Sequence, residues 1–238
     1  MKKHLFALPL FVAGLFLCSC ASVKTEPQPS PEPEITEKPV TFDYEYKSQK
    51  ISERWLESEI KYPVFENNDA LNKAIKQEIL SGYDNVMKNA EADWNYQFSN
   101  RNPDEKSFAY EYYGNTEKIT SSEKLFCIVF DEYIYYGGAH GSPSKITLCF
   151  SKEKNRKLSI SEASGISLQE ISRLCYDTLL TRMSEEEFSD LSWLQEGTDP
   201  IEENYQSFYI ENNILTIYFN PYQVGPYALG TLAVQIEL

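Results

Sequence analysis

The stretch Tyr133-Ile134-Tyr135-Tyr136-Gly137-Gly138-Ala139-His140-Gly141-Ser142-Pro143 constrains this chain more than any other. It lies between two apolar, β-rich runs, residues 125–130 and 146–150. Two such runs joined through three glycines, a small residue and a proline predict a long antiparallel hairpin with an unusual tip, because glycine tolerates positive φ and close backbone approach. A turn centred on Gly138 sets Cys127 and Cys149 opposite each other, within disulfide reach in an oxidising compartment. A turn centred one or two residues later separates them, so the pairing stays open.

The start of the chain supplies an address. Met1-Lys2-Lys3-His4 precedes an apolar run, residues 5–17, too short for a comfortable membrane span, followed by Leu17-Cys18-Ser19-Cys20-Ala21. This is the pattern of a bacterial lipoprotein signal peptide, residues 1–19, with Cys20 as the lipidated residue. Cys18 is the rival, but bulky Leu17 precedes it where the peptidase needs a small residue such as Ser19. Ala21 resembles the signal for outer-membrane sorting where the cell has two membranes. Residues 20–40 carry five prolines and four glutamates, cannot bury a core, and read as a solvated tether reaching roughly 60 Å in polyproline geometry. The expected contact with the membrane is through the lipid alone.

Residues 41–238 are one domain's worth of chain, long enough to bury a core without metal or disulfide help. The four lysines and four glutamates of residues 1–40 cancel, leaving the full formal charge of −14 on this part. Nucleic acid and anionic headgroups are therefore poor partners, whereas a cationic protein or polymer is steered in. The same charge also serves solubility.

Taken in order, residues 41–62 alternate and are aromatic, predicting one or two strands ended by Pro63. Asn67-Asn68-Asp69 caps a helix whose stripe is Leu71, Ala74, Ile75, Ile79, Tyr83, Val86, Met87 and Ala90. A polar loop at 100–105 leads to a strand at 107–113, joined through 119–122 to the long hairpin. After a charged turn at 151–157, Leu158-Ser159-Ile160 resumes briefly as strand. A second helix at 167–183 buries Leu168, Ile171, Leu174, Cys175, Leu179 and Met183. Glu185, Glu186 and Glu187 form a solvated acidic face, the wrong environment to raise a carboxylate's pKa for acid–base work. Strands at 205–210, 214–219 and 231–238 close the chain. The fold class is α+β, with antiparallel sheet dominant and two main helices packed on it; residues 41–120 and 121–238 read as its two subdomains.

His140 is the one histidine left after cleavage. A zinc site would have to draw its other ligands from Asp, Glu or Cys, and neither Cys-x-x-Cys nor His-Glu-x-x-His occurs. A nucleophile pair would have to use His140, with Ser142 too near in sequence to be well placed. Gly137-Gly138 followed by Gly141 lacks the lysine and helix of a phosphate loop. These absences favour a binding or structural histidine in a protein that is not an enzyme and takes no cofactor. Tyrosines cluster at 110, 112 and 113, at 133, 135 and 136, and at 218, 222 and 227, a pattern that both interfaces and ordinary strands produce.

Tyr135-Tyr136-Gly137-Gly138-Ala139-His140-Gly141, then Leu158-Ser159-Ile160-Ser161-Glu162, and the closing Phe219-Asn220-Pro221-Tyr222-Gln223-Val224-Gly225-Pro226-Tyr227-Ala228-Leu229-Gly230 form a recognisable set. Together with Ile60-Lys61-Tyr62-Pro63-Val64-Phe65 they resemble the PdaC/RsiV-like domains, paired extracytoplasmic domains of unknown function found in an anti-sigma factor and in a peptidoglycan deacetylase. The resemblance covers nearly all of residues 41–238. With no polysaccharide-deacetylase domain and no sigma-binding segment in this sequence, it implies neither activity. It implies a binding module facing the cell wall, with Tyr135, Tyr136, Gly137, Gly138, His140, Tyr222 and Tyr227 as candidate binding residues. The implied partner is a cell-wall component or a cationic wall-active protein such as lysozyme. A peptidoglycan-modifying enzyme using His140 and a purely structural lipoprotein are the alternatives.

Overall fold

The computed structural model describes residues 41–98, 109–183 and 191–238. The signal peptide, Cys20, the tether, the loop at 100–105 and the acidic run at 185–187 lie outside the described residues.

Strands β1 (Tyr44–Glu53) and β2 (Leu56–Phe65) form a hairpin, followed by helices α1 (Asp69–Glu78) and α2 (Ser81–Phe98). Strands β3 (Tyr110–Ser121), β4 (Leu125–Tyr135), β5 (Ser142–Ser151) and the short β6 (Arg156–Lys157) complete a six-stranded sheet in sequence order. Only β2 and β3 run parallel, which is why the two helices lie between them as a crossover. Helices α3 (Ile160–Ser164), α4 (Leu168–Met183) and α5 (Ser192–Thr198) follow. A three-stranded antiparallel sheet, β7 (Phe208–Glu211), β8 (Ile214–Phe219) and β9 (Leu232–Glu237), ends the chain. The fold is α+β and mostly antiparallel, as the sequence predicts.

The apolar runs of β4 and β5 are continuous because both faces of these strands are covered. Phe126, Ile128, Phe130, Leu148 and Phe150 point into one core under α1 and α2, with Ile60, Leu71, Ile75 and Tyr112. Their neighbours Cys127, Val129 and Cys149 point the other way, into a second core with Ile171 and Cys175 of α4 and Leu215, Ile217 and Phe219 of β8. Burying each such side chain contributes on the order of 1.5–3 kcal/mol. Polar ties fix the second layer on the first: Thr147 Oγ1 donates to the Gln206 carbonyl at 3.2 Å and accepts from the Phe208 N–H at 2.7 Å, and Thr120 donates to the Ile210 carbonyl at 3.0 Å.

Cys127 and Cys149 are direct partners across β4 and β5 and form a disulfide, Cα atoms 4.2 Å apart. The turn therefore centres on Gly138. Cys175 is buried and free, its thiol pushed up to about 12 by burial.

Elsewhere the chain departs from its pattern for local reasons. Pro63 sits inside β2 rather than ending it, because β2 pairs with β3 only as far as Lys61 and beyond that needs partners on the β1 side alone. The first helix is two helices: the Asn68 side chain caps α1 by accepting from the Leu71 N–H, and the chain breaks at Ile79 and Leu80, both of whose N–H groups reach the Ile75 carbonyl. Gly82 then opens α2 against the Glu132 carboxylate, where a Cβ would collide. The apolar stripe runs on across the break. Residues 110–121 are a single strand, bulged at Glu117, rather than a strand and a joint. Leu158-Ser159-Ile160 is not strand: Ser159 and Glu162 form a capping box that starts α3. Arg156 grips Glu162 with both terminal guanidinium nitrogens, at 2.9 and 2.5 Å, and with the Ser159 N–H holds its carboxyl down at about 2.

Candidate functional site

The hairpin tip is closed from within. Gly137 and Gly138 take φ of 92° and 108°, and the Tyr135 hydroxyl donates to the Gly138 carbonyl at 3.0 Å. Tyr136 leaves on the helix side of the sheet, its ring edge-on to Tyr110 at 5.2 Å. Gly141 is buried against the ring of Tyr133, where a Cβ would collide.

His140 leaves the tip in the other direction and meets the segment after β8. Its imidazole stacks on the Tyr227 ring, centroids 3.9 Å apart. The His140 Nδ1 lies 3.0 Å from the Gly141 carbonyl, an acceptor only, so Nδ1 carries the proton. In the neutral ring Nε2 is then an acceptor, and the Tyr222 hydroxyl stands 3.4 Å from it. Tyr227 donates its own hydroxyl to the same Gly141 carbonyl at 3.1 Å. Among the described residues no carboxylate bonds to His140.

Tyr222 is held by a tight turn. The Gln223 N–H bonds to the Asn220 carbonyl at 3.0 Å, Pro221 occupies the first central position, and Tyr222 takes φ of 72° in the second. Such a turn ordinarily places glycine or asparagine there, since a side chain with positive φ is strained. The strain presents a tyrosine that is 54% exposed. Gln223 donates from the same turn to the carbonyls of Gly197 and Asn204, at 3.3 and 2.9 Å. Gly197 abuts the Gln223 backbone, so α5 seats directly on the turn. That docking brings Trp193, 43% exposed, edge-on to Tyr222 at 6.3 Å. Tyr222 and Tyr227 are 5.6 Å apart. The result is an exposed aromatic ledge: Trp193, Tyr222, Tyr227, His140.

Residues 49–143 match the family described as Deacetylase PdaC, and residues 164–238 match Protein of unknown function (DUF3298). The chain carries a PdaC/RsiV-like domain of unknown function. It is 28% identical over 183 residues to the peptidoglycan-N-acetylmuramic acid deacetylase PdaC of Bacillus subtilis strain 168, covering 75% of this chain and 36% of that enzyme. The fold is shared with two crystal structures of DUF3298 proteins. One, from Bacteroides fragilis NCTC 9343, has TM-score 0.54 at 18% identity over 84% of this chain and 92% of that one. The other, from Pseudomonas aeruginosa PAO1, has TM-score 0.54 at 15% identity with the same coverage. The PdaC/RsiV-like domain is thus extracytoplasmic and associated with the cell envelope.

Within this domain the ledge joins the two matched segments, His140 coming from the first and Trp193, Tyr222 and Tyr227 from the second. Of the sequence candidates, His140, Tyr222 and Tyr227 come together, Tyr135, Gly137 and Gly138 shape the tip, and Tyr136 lies on the helix side. Trp193 escapes sequence reading because nothing near it in the chain forms a motif; only the packing of Gly197 on Gln223 brings it to the ledge. Among the described residues no group of three or more His, Cys, Asp and Glu is arranged to hold a metal ion, and no helix is long and apolar enough to cross a membrane.

Proposed function

We propose that this PdaC/RsiV-like domain is a non-catalytic binding module, held at the envelope by lipid on Cys20, that recognises a cell-wall component. The observation that carries this reading is Tyr222, a large side chain kept in a left-handed turn and displayed beside three other rings. Stability alone favours glycine at such a position, and strain of this kind collects at functional sites. Aromatic rings with polar tips suit ligands that offer flat apolar faces and hydrogen-bonding edges, as sugars do. The hydrogen bonding of His140, with one ring nitrogen on a carbonyl, the other facing a tyrosine hydroxyl and the ring stacked, supports a contact role over acid–base chemistry.

The charge of −14 favours a second partner class, a cationic wall-active protein such as lysozyme, drawn in by long-range steering. Co-sedimentation with purified peptidoglycan and titration with hen lysozyme, each at low and physiological salt, test both. Binding to peptidoglycan that survives salt and is lost in Tyr222→Gly and Trp193→Ala supports the ledge. Saturable lysozyme binding abolished by salt supports the cationic partner. Binding to neither would falsify the reading.

A further inference from the structure

The three-stranded layer covers only part of the outer face of the large sheet. Beside it an open cleft of about 440 Å³ crosses strands β2 to β5, walled by Tyr113, Asn115, Asp131, Tyr133, Lys145 and Thr231. That volume lies within the range of small-molecule sites, about 300–1,000 Å³.

Two properties define what the cleft accepts. The first is an aromatic wall: Tyr113 and Tyr133 are cross-strand partners with ring centroids 6.2 Å apart and planes 34° from parallel, and Tyr113 is 44% exposed. The second is internal charge balance. Lys145 bonds to Asp131 at 2.5 Å and Glu117 at 2.7 Å, Glu59 is paired with Lys50 at 3.3 Å, and Lys61 rests over the Tyr46 ring at 4.5 Å. Burial pulls the Lys145 pKa down, but the two carboxylates outweigh it and the net shift is upward. An anion would have to break these pairs, and a purely apolar ligand would desolvate them without compensation. A neutral ligand with apolar faces and many hydroxyl or amide groups satisfies both properties.

One wall of the cleft also touches the hairpin tip that carries the ledge. Tyr133, its wall, is packed against Gly141, whose carbonyl receives the His140 and Tyr227 hydrogen bonds.

We infer that the cleft is a saccharide subsite, taking a neutral sugar ring of a glycan strand whose continuation runs over Tyr227 and Tyr222. Tyr113 and Tyr133 cover the apolar ring face, while Asn115, Asp131 and Lys145 meet hydroxyl and acetamido groups. The inference rests on the wall-binding reading above and adds the ligand class and a second contact surface.

Calorimetric titration of the full chain with N-acetylglucosamine oligomers, from dimer to hexamer, tests it, with peptidoglycan co-sedimentation run in parallel. Affinity rises with oligomer length. Tyr113→Ala, and Asn115→Trp, which fills the cleft from an exposed position, each weaken the hexamer about tenfold, the scale of a lost aromatic contact. Tyr222→Gly weakens the hexamer by a larger factor than the dimer. Hexamer binding that is indifferent to both cleft variants but lost in Tyr222→Gly overturns the subsite and leaves the ledge standing. So does the absence of oligomer binding in a chain that still binds peptidoglycan. Absence of both overturns the underlying reading as well.

Discussion

The imidazole of His140 lies flat on the ring of Tyr227, planes within 22° of parallel. This stack ties the hairpin tip to the segment after β8, and it needs a flat ring rather than a base. His140→Phe is therefore expected to keep peptidoglycan binding, while His140→Ala loses about 1 kcal/mol of stability and weakens binding. Urea unfolding and co-sedimentation check the two. Binding lost equally in both variants would show that the ring nitrogens matter.

Tyr222→Gly separates display from stability. Glycine relieves the strain of a side chain at φ 72°, so the variant should unfold at the same urea concentration as the parent or gain up to about 1 kcal/mol, despite losing its ring contacts. Its binding to peptidoglycan should fall. A variant that is destabilised and binds normally would make Tyr222 a structural residue.

Reducing the Cys127–Cys149 bond, or replacing both residues with alanine, should lower stability by about 3 kcal/mol, the loop-entropy expectation for a separation of 22 residues. Both cysteines are buried, so reductant alone should act slowly and denaturant should speed it. Urea curves with and without dithiothreitol measure the difference, and coincident midpoints contradict it.

Glu132 gives a pH signature. Burial raises its carboxyl above the ordinary range, and hydrogen bonds from Tyr112 at 3.0 Å and Ser144 at 3.2 Å offset this only in part. The folded protein thus holds this proton more tightly than the unfolded chain, so stability contributed here falls as pH rises from the unfolded pKa through the folded one. Glu132→Gln removes that loss. It should be more stable than the parent at neutral pH, with the difference vanishing as pH falls through the ordinary carboxylate range. Thermal unfolding across that range checks the sign.

What the sequence discloses and what it hides follow from range. The run at 125–130 announces strands covered on both faces, and the equal spacing of Cys127 and Cys149 from Gly138 offers their pairing, because both are properties of one hairpin. The break between α1 and α2 is hidden: the stripe is continuous, and the reason for the glycine at 82 is a carboxylate from a strand fifty residues on. The bulge at Glu117 changes which side chains face which core without marking the composition. The ledge is half legible, His140 and Tyr222 standing in motifs and Trp193 in none. The cleft is not legible at all, since its walls come from separate strands, each an ordinary alternation of tyrosine and charge.

Because β4 and β5 lend one face to each core, the two halves of the domain are not separable modules. A gene encoding only residues 49–143 would lack most of β5, and one encoding only 164–238 would strip Cys127, Val129 and Cys149 from the core that holds Ile171, Leu215 and Phe219. Neither matched segment closes by itself the core it helps to build, so the two are expected to fold as one unit.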